Sequence, residues 1–224
     1  GFKATTDNAL VTMTDGFLAT TKLDAEFKGV SAHAGAAPEQ GKNALLAACQ
    51  AAISLNTISR HSQGSSRINV GVLNAGTGRN VVPDIASLKL ETRGATTEIN
   101  NYMVSEARRM LTACAAMYDV ELKVTMAGGA PACLPDAELG HEVAELAKAK
   151  CHFDEISEYV DMGGSEDCGY FMERVQQKGG RALYMMYGTK IAAGHHNSHF
   201  DFNEECPWKA AATLTEVAIH FTNK

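Results

Sequence analysis

Leu23-Asp24-Ala25-Glu26-Phe27-Lys28-Gly29 sets apolar Leu23, Ala25 and Phe27 in strict alternation with charged Asp24, Glu26 and Lys28, and stops at a glycine. A period of two is that of a strand with one buried and one wet face. The loop Val30-Ser31-Ala32-His33-Ala34-Gly35-Ala36-Ala37-Pro38 follows, and the alanine-rich run from Asn43 to Ile53 reads as a helix. After a polar break from Arg60 to Ser66, Ile68, Val70 and Val72 alternate with Asn69 and Gly71 as a second strand. Asn74 to Asn80 is a turn-rich connection, and Leu88 and Leu90 then alternate with Lys89, Glu91 and Arg93 as a third strand. Thr96 or Thr97 caps a helix with Glu98 in its first turn, whose stripe is Met103, Ala107, Met110, Leu111 and Cys114. Val120, Leu122, Val124 and Met126 complete a fourth strand. The order β-α-β-β-α-β is the ferredoxin-like arrangement, two helices on one face of a four-stranded antiparallel sheet. Every strand has a polar side, so the second sheet face is expected to be wet or to roof an active site.

Outside this block the pattern changes. Residues 1–16 read as polar, Thr-rich and weakly periodic, as expected of a chain cut from a preceding partner, and residue 1 is Gly rather than Met. Gly128-Gly129-Ala130-Pro131 reads as a hinge into a second domain with α/β character. There a helix is expected over Asp136–Lys150, a strand over Ile156–Met162, a turn at Gly163-Gly164-Ser165 and a helix over Glu166–Gln177. A strand over Ala182–Tyr187 and a closing helix over Glu204–Phe221 complete it. The expected domains are therefore residues 1–16, 17–130 and 131–224.

A chain of 224 residues, 45% hydrophobic and 21% charged, is ordinary for a globular protein. The net charge of -6 and the lack of clustered Lys and Arg disfavour nucleic acid or an anionic membrane as partner. No apolar run reaches the length of a membrane span. The six cysteines are dispersed without a CxxC pair, which points to reduced structural thiols and a cytoplasmic setting.

Three of the eight histidines fall together in Gly194-His195-His196-Asn197-Ser198-His199-Phe200-Asp201, a loop after a strand-like run. Imidazole there suits metal binding or acid–base chemistry. A polar surface loop that happens to be histidine-rich accounts for the spacing equally well. Glu166 and Asp167 could be a catalytic carboxylate pair, but at a helix amino end they more commonly cap it and offset its dipole.

Five motifs occur in order: Gly29-Val30-Ser31-Ala32-His33-Ala34-Gly35 with Pro38; Gly78-Arg79-Asn80-Val81-Val82-Pro83; Glu91-Thr92-Arg93-Gly94; Gly164-Ser165-Glu166-Asp167; and His196-Asn197-Ser198-His199-Phe200-Asp201. Together they resemble the metal-dependent aminoacylase and carboxypeptidase family of amidohydrolases. That resemblance implies an α/β metallopeptidase-type catalytic domain holding two divalent metal ions, zinc or manganese, interrupted by a ferredoxin-like lid that forms a homodimer. It implies cleavage of the amide bond of a small N-acyl or aminobenzoyl amino acid by a metal-activated water. His196 aligns with the family's last metal ligand, and the other ligands would lie upstream of Gly1. His33 aligns with the lid histidine that meets the oxyanion, supplied from the partner subunit, while Asn80 and Arg93 would hold the substrate's free carboxylate. His195 and His199 align with no ligand. With one ligand of its own, the chain would be the carboxyl-terminal part of such an enzyme. The alternative is a dimerisation and lid module without catalysis as it stands.

Overall fold

The computed structural model describes the backbone of residues 2–4 and all of residues 7–195 and 197–223. Two compact units emerge: Leu18–Ala132 with Ser165–Asp167, and the described parts of Gly1–Phe17, Cys133–Gly164 and Cys168–Lys224. In chain order the elements are β1 (Phe2–Ala4), β2 (Ala9–Asp15), β3 (Ala19–Lys28), α1 (Ala44–Leu55), β4 (Ser66–Ala75), β5 (Ile85–Gly94) and α2 (Thr97–Met117). They continue with β6 (Glu121–Ala130), α3 (Ala137–Lys150), β7 (Glu155–Asp161), α4 (Gly169–Gln176), β8 (Met186–Thr189) and α5 (Glu205–Thr222). The expected class, mixed α and β with a ferredoxin-like block, holds.

In the unit built on Leu18–Ala132 the sheet runs β4-β5-β3-β6, each neighbour antiparallel. Leu23, Ala25 and Phe27 of β3 and Ala86, Leu88 and Leu90 of β5 point to one side and are buried. There they meet the alanine stripe of α1, Ala44, Ala47, Ala48 and Ala51, and Met103, Ala107 and Leu111 of α2. Each fully buried Leu, Met or Phe contributes on the order of 1.5–3 kcal/mol. Asn43 caps α1, its side chain accepting from the Leu46 N–H at 3.0 Å, and Thr96 caps α2 by accepting from the Ile99 N–H at 3.2 Å. Gly94 ends β5 where only a glycine fits, because a Cβ there would overlap the Asn100 N–H in the first turn of α2.

Gly128 and Gly129 do not form a hinge. They continue β6, pairing with Lys22 and Thr21, and the register shifts between Lys22 and Leu23 instead. Gly128 takes a φ of +157°, which the absence of a side chain permits at that irregularity.

The other unit has a mixed sheet, β1-β8-β2-β7, with β1 parallel to β8, β2 parallel to β7, and β2 antiparallel to β8. The sequence reading missed β1 and β2. Residues Ala9 to Thr14 are all buried, Thr12 and Thr14 completely, so β2 is covered on both faces and carries no alternation to detect. The expected strand at Ala182–Tyr187 forms later and is shorter, Met186–Thr189. The helix expected from Glu166 starts at Gly169, so Glu166 and Asp167 precede it and do not cap it; Cys168 stands at the N-cap and its side chain makes no capping hydrogen bond. None of the six cysteines is in a disulfide. No helix among the described residues is long and apolar enough to cross a membrane.

Candidate functional site

The ladder between β3 and β5 runs on past the strands into two loops. The Gly29 N–H donates to the Asp84 carbonyl at 2.7 Å, the Val82 N–H to the Ala32 carbonyl at 2.9 Å, and the Ala34 N–H to the Asn80 carbonyl at 2.9 Å. His33 itself pairs with Val81 as an isolated antiparallel bridge. These bonds bring His33 and Asn80, forty-seven positions apart in sequence, onto adjacent backbones. A second anchor holds the base of the loop: Val30 and Lys42 exchange both backbone hydrogen bonds, at 3.0 and 2.9 Å. A Cβ on Gly29 would overlap the Lys42 carbonyl, which explains the glycine.

The His33 ring is exposed but oriented. Its Nδ1 accepts from the Gly35 N–H at 3.2 Å and from the Ala36 N–H at 3.1 Å. With Nδ1 engaged as an acceptor, the proton of the neutral ring rests on Nε2, which faces outward as a donor. A backbone turn thus sets the tautomer.

Arg93 lies elsewhere. It sits near the carboxyl end of β5, whereas Asn80 precedes the start of that strand at Ile85. At about 3.3 Å per residue the eight steps from Ile85 to Arg93 span roughly 25 Å, far more than one carboxylate can bridge. Within one chain the structure joins His33 to Asn80 and leaves Arg93 apart.

Arg93 is on the open face of the sheet, its Nε donating to Glu91 Oε1 at 2.9 Å, with both side chains about one-third exposed. A cavity of about 200 Å³ adjoins it, lined by Thr20, Lys22, Ala130, Glu166 and Asp167 among others. Ser165 ties the segment carrying these two carboxylates to the residue just before β3, its Oγ donating to the Leu18 carbonyl at 2.6 Å. Behind Arg93, on the buried side, Thr92 Oγ1 donates to Asn100 Oδ1 at 2.8 Å, and Asn100 Nδ2 donates to Thr21 Oγ1 at 2.8 Å. This polar link pins α2 to the strand segments that present Thr20 and Arg93. Sequence reasoning missed Lys22 and the placement of Glu166 and Asp167; alternation with Leu23 already put Lys22 on the open face.

His196 falls outside the described residues. In its loop, His195 stacks on Phe200 with ring centroids 5.3 Å apart, and the Asn197 side chain accepts from the His199 N–H at 2.9 Å. Among the described residues no group of three or more His, Cys, Asp or Glu is placed to hold a metal ion, so these residues alone do not make a metal centre.

Residues 18–116 match the family described as the peptidase dimerisation domain. The matched segment lies wholly inside the unit Leu18–Ala132 and contains His33, Asn80 and Arg93. Over 208 residues the chain is 49% identical to indole-3-acetyl-aspartic acid hydrolase of Enterobacter agglomerans and 47% identical to one of the polypeptides of p-aminobenzoyl-glutamate hydrolase of Escherichia coli strain K12. Each comparison covers 92% of this chain and 48% of the relative. Among solved structures, the aminobenzoyl-glutamate utilization protein of Klebsiella pneumoniae superposes with a TM-score of 0.87 at 40% identity, covering 98% of this chain and 53% of that one. The chain spans about half the length of the curated relatives it matches. The resemblance carried by the five motifs therefore extends beyond residues 18–116.

Proposed function

We propose that this chain is the carboxyl-terminal part of a metal-dependent amidohydrolase that cleaves the amide bond of N-acyl or aminobenzoyl amino acids, such as aminobenzoyl-glutamate, by a metal-activated water. The observation that carries this reading is the identity of 49% and 47%, over 92% of the chain, to two hydrolases named for amides of aspartate and glutamate. The resemblance brings with it a pair of divalent ions, zinc or manganese, toward which this chain offers His196 alone.

The roles of the chain's own residues follow from their chemistry. His33, held with Nε2–H outward, is suited to donate to the oxyanion that forms as the amide is attacked; a fixed donor costs no reorganisation at that moment. Asn80 stands beside it, and the guanidinium of Arg93 fits a carboxylate bidentately. The span of β5 supports a site in which His33 and Asn80 come from one copy and Arg93 from another. A homodimer through the dimerisation domain provides for that. Six dispersed cysteines, none of them in a disulfide, support a cytoplasmic setting.

The test is the full-length protein supplied with manganese or zinc and offered a panel of N-acyl and aminobenzoyl amino acids. Hydrolysis lost on adding a chelator is expected; inactivity across the panel overturns the reading. A second reading, a dimerisation and lid module without turnover, applies to the chain on its own and is favoured by the match over residues 18–116. It predicts a dimer in equilibrium sedimentation with no amide hydrolysis. A monomer, or measurable turnover, removes it.

A further inference from the structure

The open face of the β4-β5-β3-β6 sheet carries a second guanidinium directly across from Arg93. In the β4–β5 register Arg67 pairs with Arg93 and Asn69 with Glu91, and the ladder is regular from Ser66 to Val70. Residues directly opposite on antiparallel strands share a face, with their Cα atoms about 4.5–5.5 Å apart. Thr92 and Leu90 of β5 are buried beneath the helices, so Arg93, Glu91 and their partners Arg67 and Asn69 face away from them. Like charges in that relation are destabilising. Glu91 offsets one of the two, by its bond from Arg93 Nε, and leaves the four N–H groups on the terminal nitrogens of Arg93. Among the described residues the Arg67 side chain has no hydrogen bond or ion pair, and the residue is exposed.

The two flanks of Arg93 differ in charge. On the β3 and β6 side the cavity holds Lys22 but also Glu166 and Asp167, so an anion finds no surplus of positive charge there. On the β4 side the neighbours are Arg67 and the neutral Asn69. A ligand already held by Arg93 through one carboxylate therefore has a single favourable direction for a second. In aspartate or glutamate the two carboxylates are separated by three or four C–C bonds of about 1.5 Å, a spacing of the same order as that between adjacent strands.

We infer that Arg67 binds the side-chain carboxylate of an acidic leaving amino acid, selecting amides of glutamate or aspartate over those of neutral amino acids. This rests on the proposed amidohydrolase function and on Arg93 as the holder of the α-carboxylate. Arg67 acts on selectivity and touches none of the reacting atoms. Its neighbour Arg93 would bind acidic and neutral amino acids alike through the carboxylate they have in common.

The full-length protein decides the matter through paired substrates, an N-acyl-glutamate and the matching N-acyl-glutamine, which differ only in the charge of the side chain. The wild type is expected to favour the glutamate in kcat/KM. In Arg67→Met that preference should fall about tenfold to a hundredfold, the range for losing one hydrogen bond to a charged group, mostly through KM. Arg67→Lys should recover part of it. An unchanged ratio in Arg67→Met, or a wild type with no preference, overturns the inference while leaving the amidohydrolase reading intact. If the protein hydrolyses neither substrate, calorimetric binding of N-acetyl-glutamate and N-acetyl-glutamine decides. Glutamate binding weakened at least tenfold by Arg67→Met, with glutamine binding unmoved, supports the inference; equal effects, or no binding of either by the wild type, sink it. Circular dichroism melts of each variant report whether the sheet is intact.

Discussion

Replacing Asn100 by Ala isolates the link that holds α2 against the strands carrying Thr20 and Arg93. Asn100 is 3% exposed and Thr92 is fully buried. The substitution removes two side-chain hydrogen bonds of 2.8 Å, to Thr92 and to Thr21. Thr21 is half-buried and can turn to water, but the Thr92 hydroxyl is left without its acceptor in a dry site. A typical bond contributes about 0.5–1.5 kcal/mol net and a stranded buried polar group costs about 1–3 kcal/mol, so the loss should be about 2–4 kcal/mol. For a unit of this size that lowers Tm by on the order of 10 °C. Urea unfolding followed by circular dichroism measures the free energy, and hydrogen exchange should show the α2 amides exchanging faster. The double variant Asn100→Leu with Thr92→Val removes both buried polar groups together and should be more stable than Asn100→Ala alone. A cost below about 0.5 kcal/mol, or a double variant less stable than the single one, would refute the claim that the link bears on stability.

Other expectations concern the loops and the second unit. In the full-length protein His33→Ala should lower kcat by about 10²–10³ with little change in KM, the loss known for one oxyanion donor, and an effect confined to KM would rule out that role. Gly29→Ala should destabilise by about 1–3 kcal/mol, since the new Cβ meets the Lys42 backbone rather than a movable side chain; a melt unchanged from wild type would contradict this. Burial pushes the Cys133 thiol up to about 11. The unfolded thiol titrates near its ordinary value, so the stability Cys133 adds is whole below about pH 8.5 and is lost as pH rises toward 11. Melts of Cys133→Ala should show a shallower alkaline decline than wild type, and parallel curves would count against it.

Legibility in the sequence followed exposure. The sheet of the unit Leu18–Ala132 could be read because each strand keeps one wet side, and Leu23 to Lys28 shows the period of two directly. Thr96 announced its helix by capping chemistry, and the run after Asn43 announced its helix by its alanines. β2 could not be read, because Ala9 to Thr14 is enclosed on both faces and its threonines count as polar in any pattern. Gly128 and Gly129 were read as a hinge because glycine pairs punctuate loops more often than they relieve a strand irregularity. Within the site, His33 and Asn80 are neighbours only through the ladder that extends past β3 and β5, which composition does not reveal. The distance from Asn80 to Arg93 was legible in principle, since most of the thirteen intervening steps run along an extended strand.

That separation has a consequence for how activity would respond to dilution and to mixing. A site assembled from opposite ends of β5 in two copies exists only while the copies are together, so specific activity should drop once the protein is diluted below its dimer dissociation constant. Two silent variants, His33→Ala and Arg93→Met, would then repair one another. Random pairing makes about half of the dimers mixed, and each mixed dimer has one intact site of two, so the blend should regain about a quarter of wild-type activity.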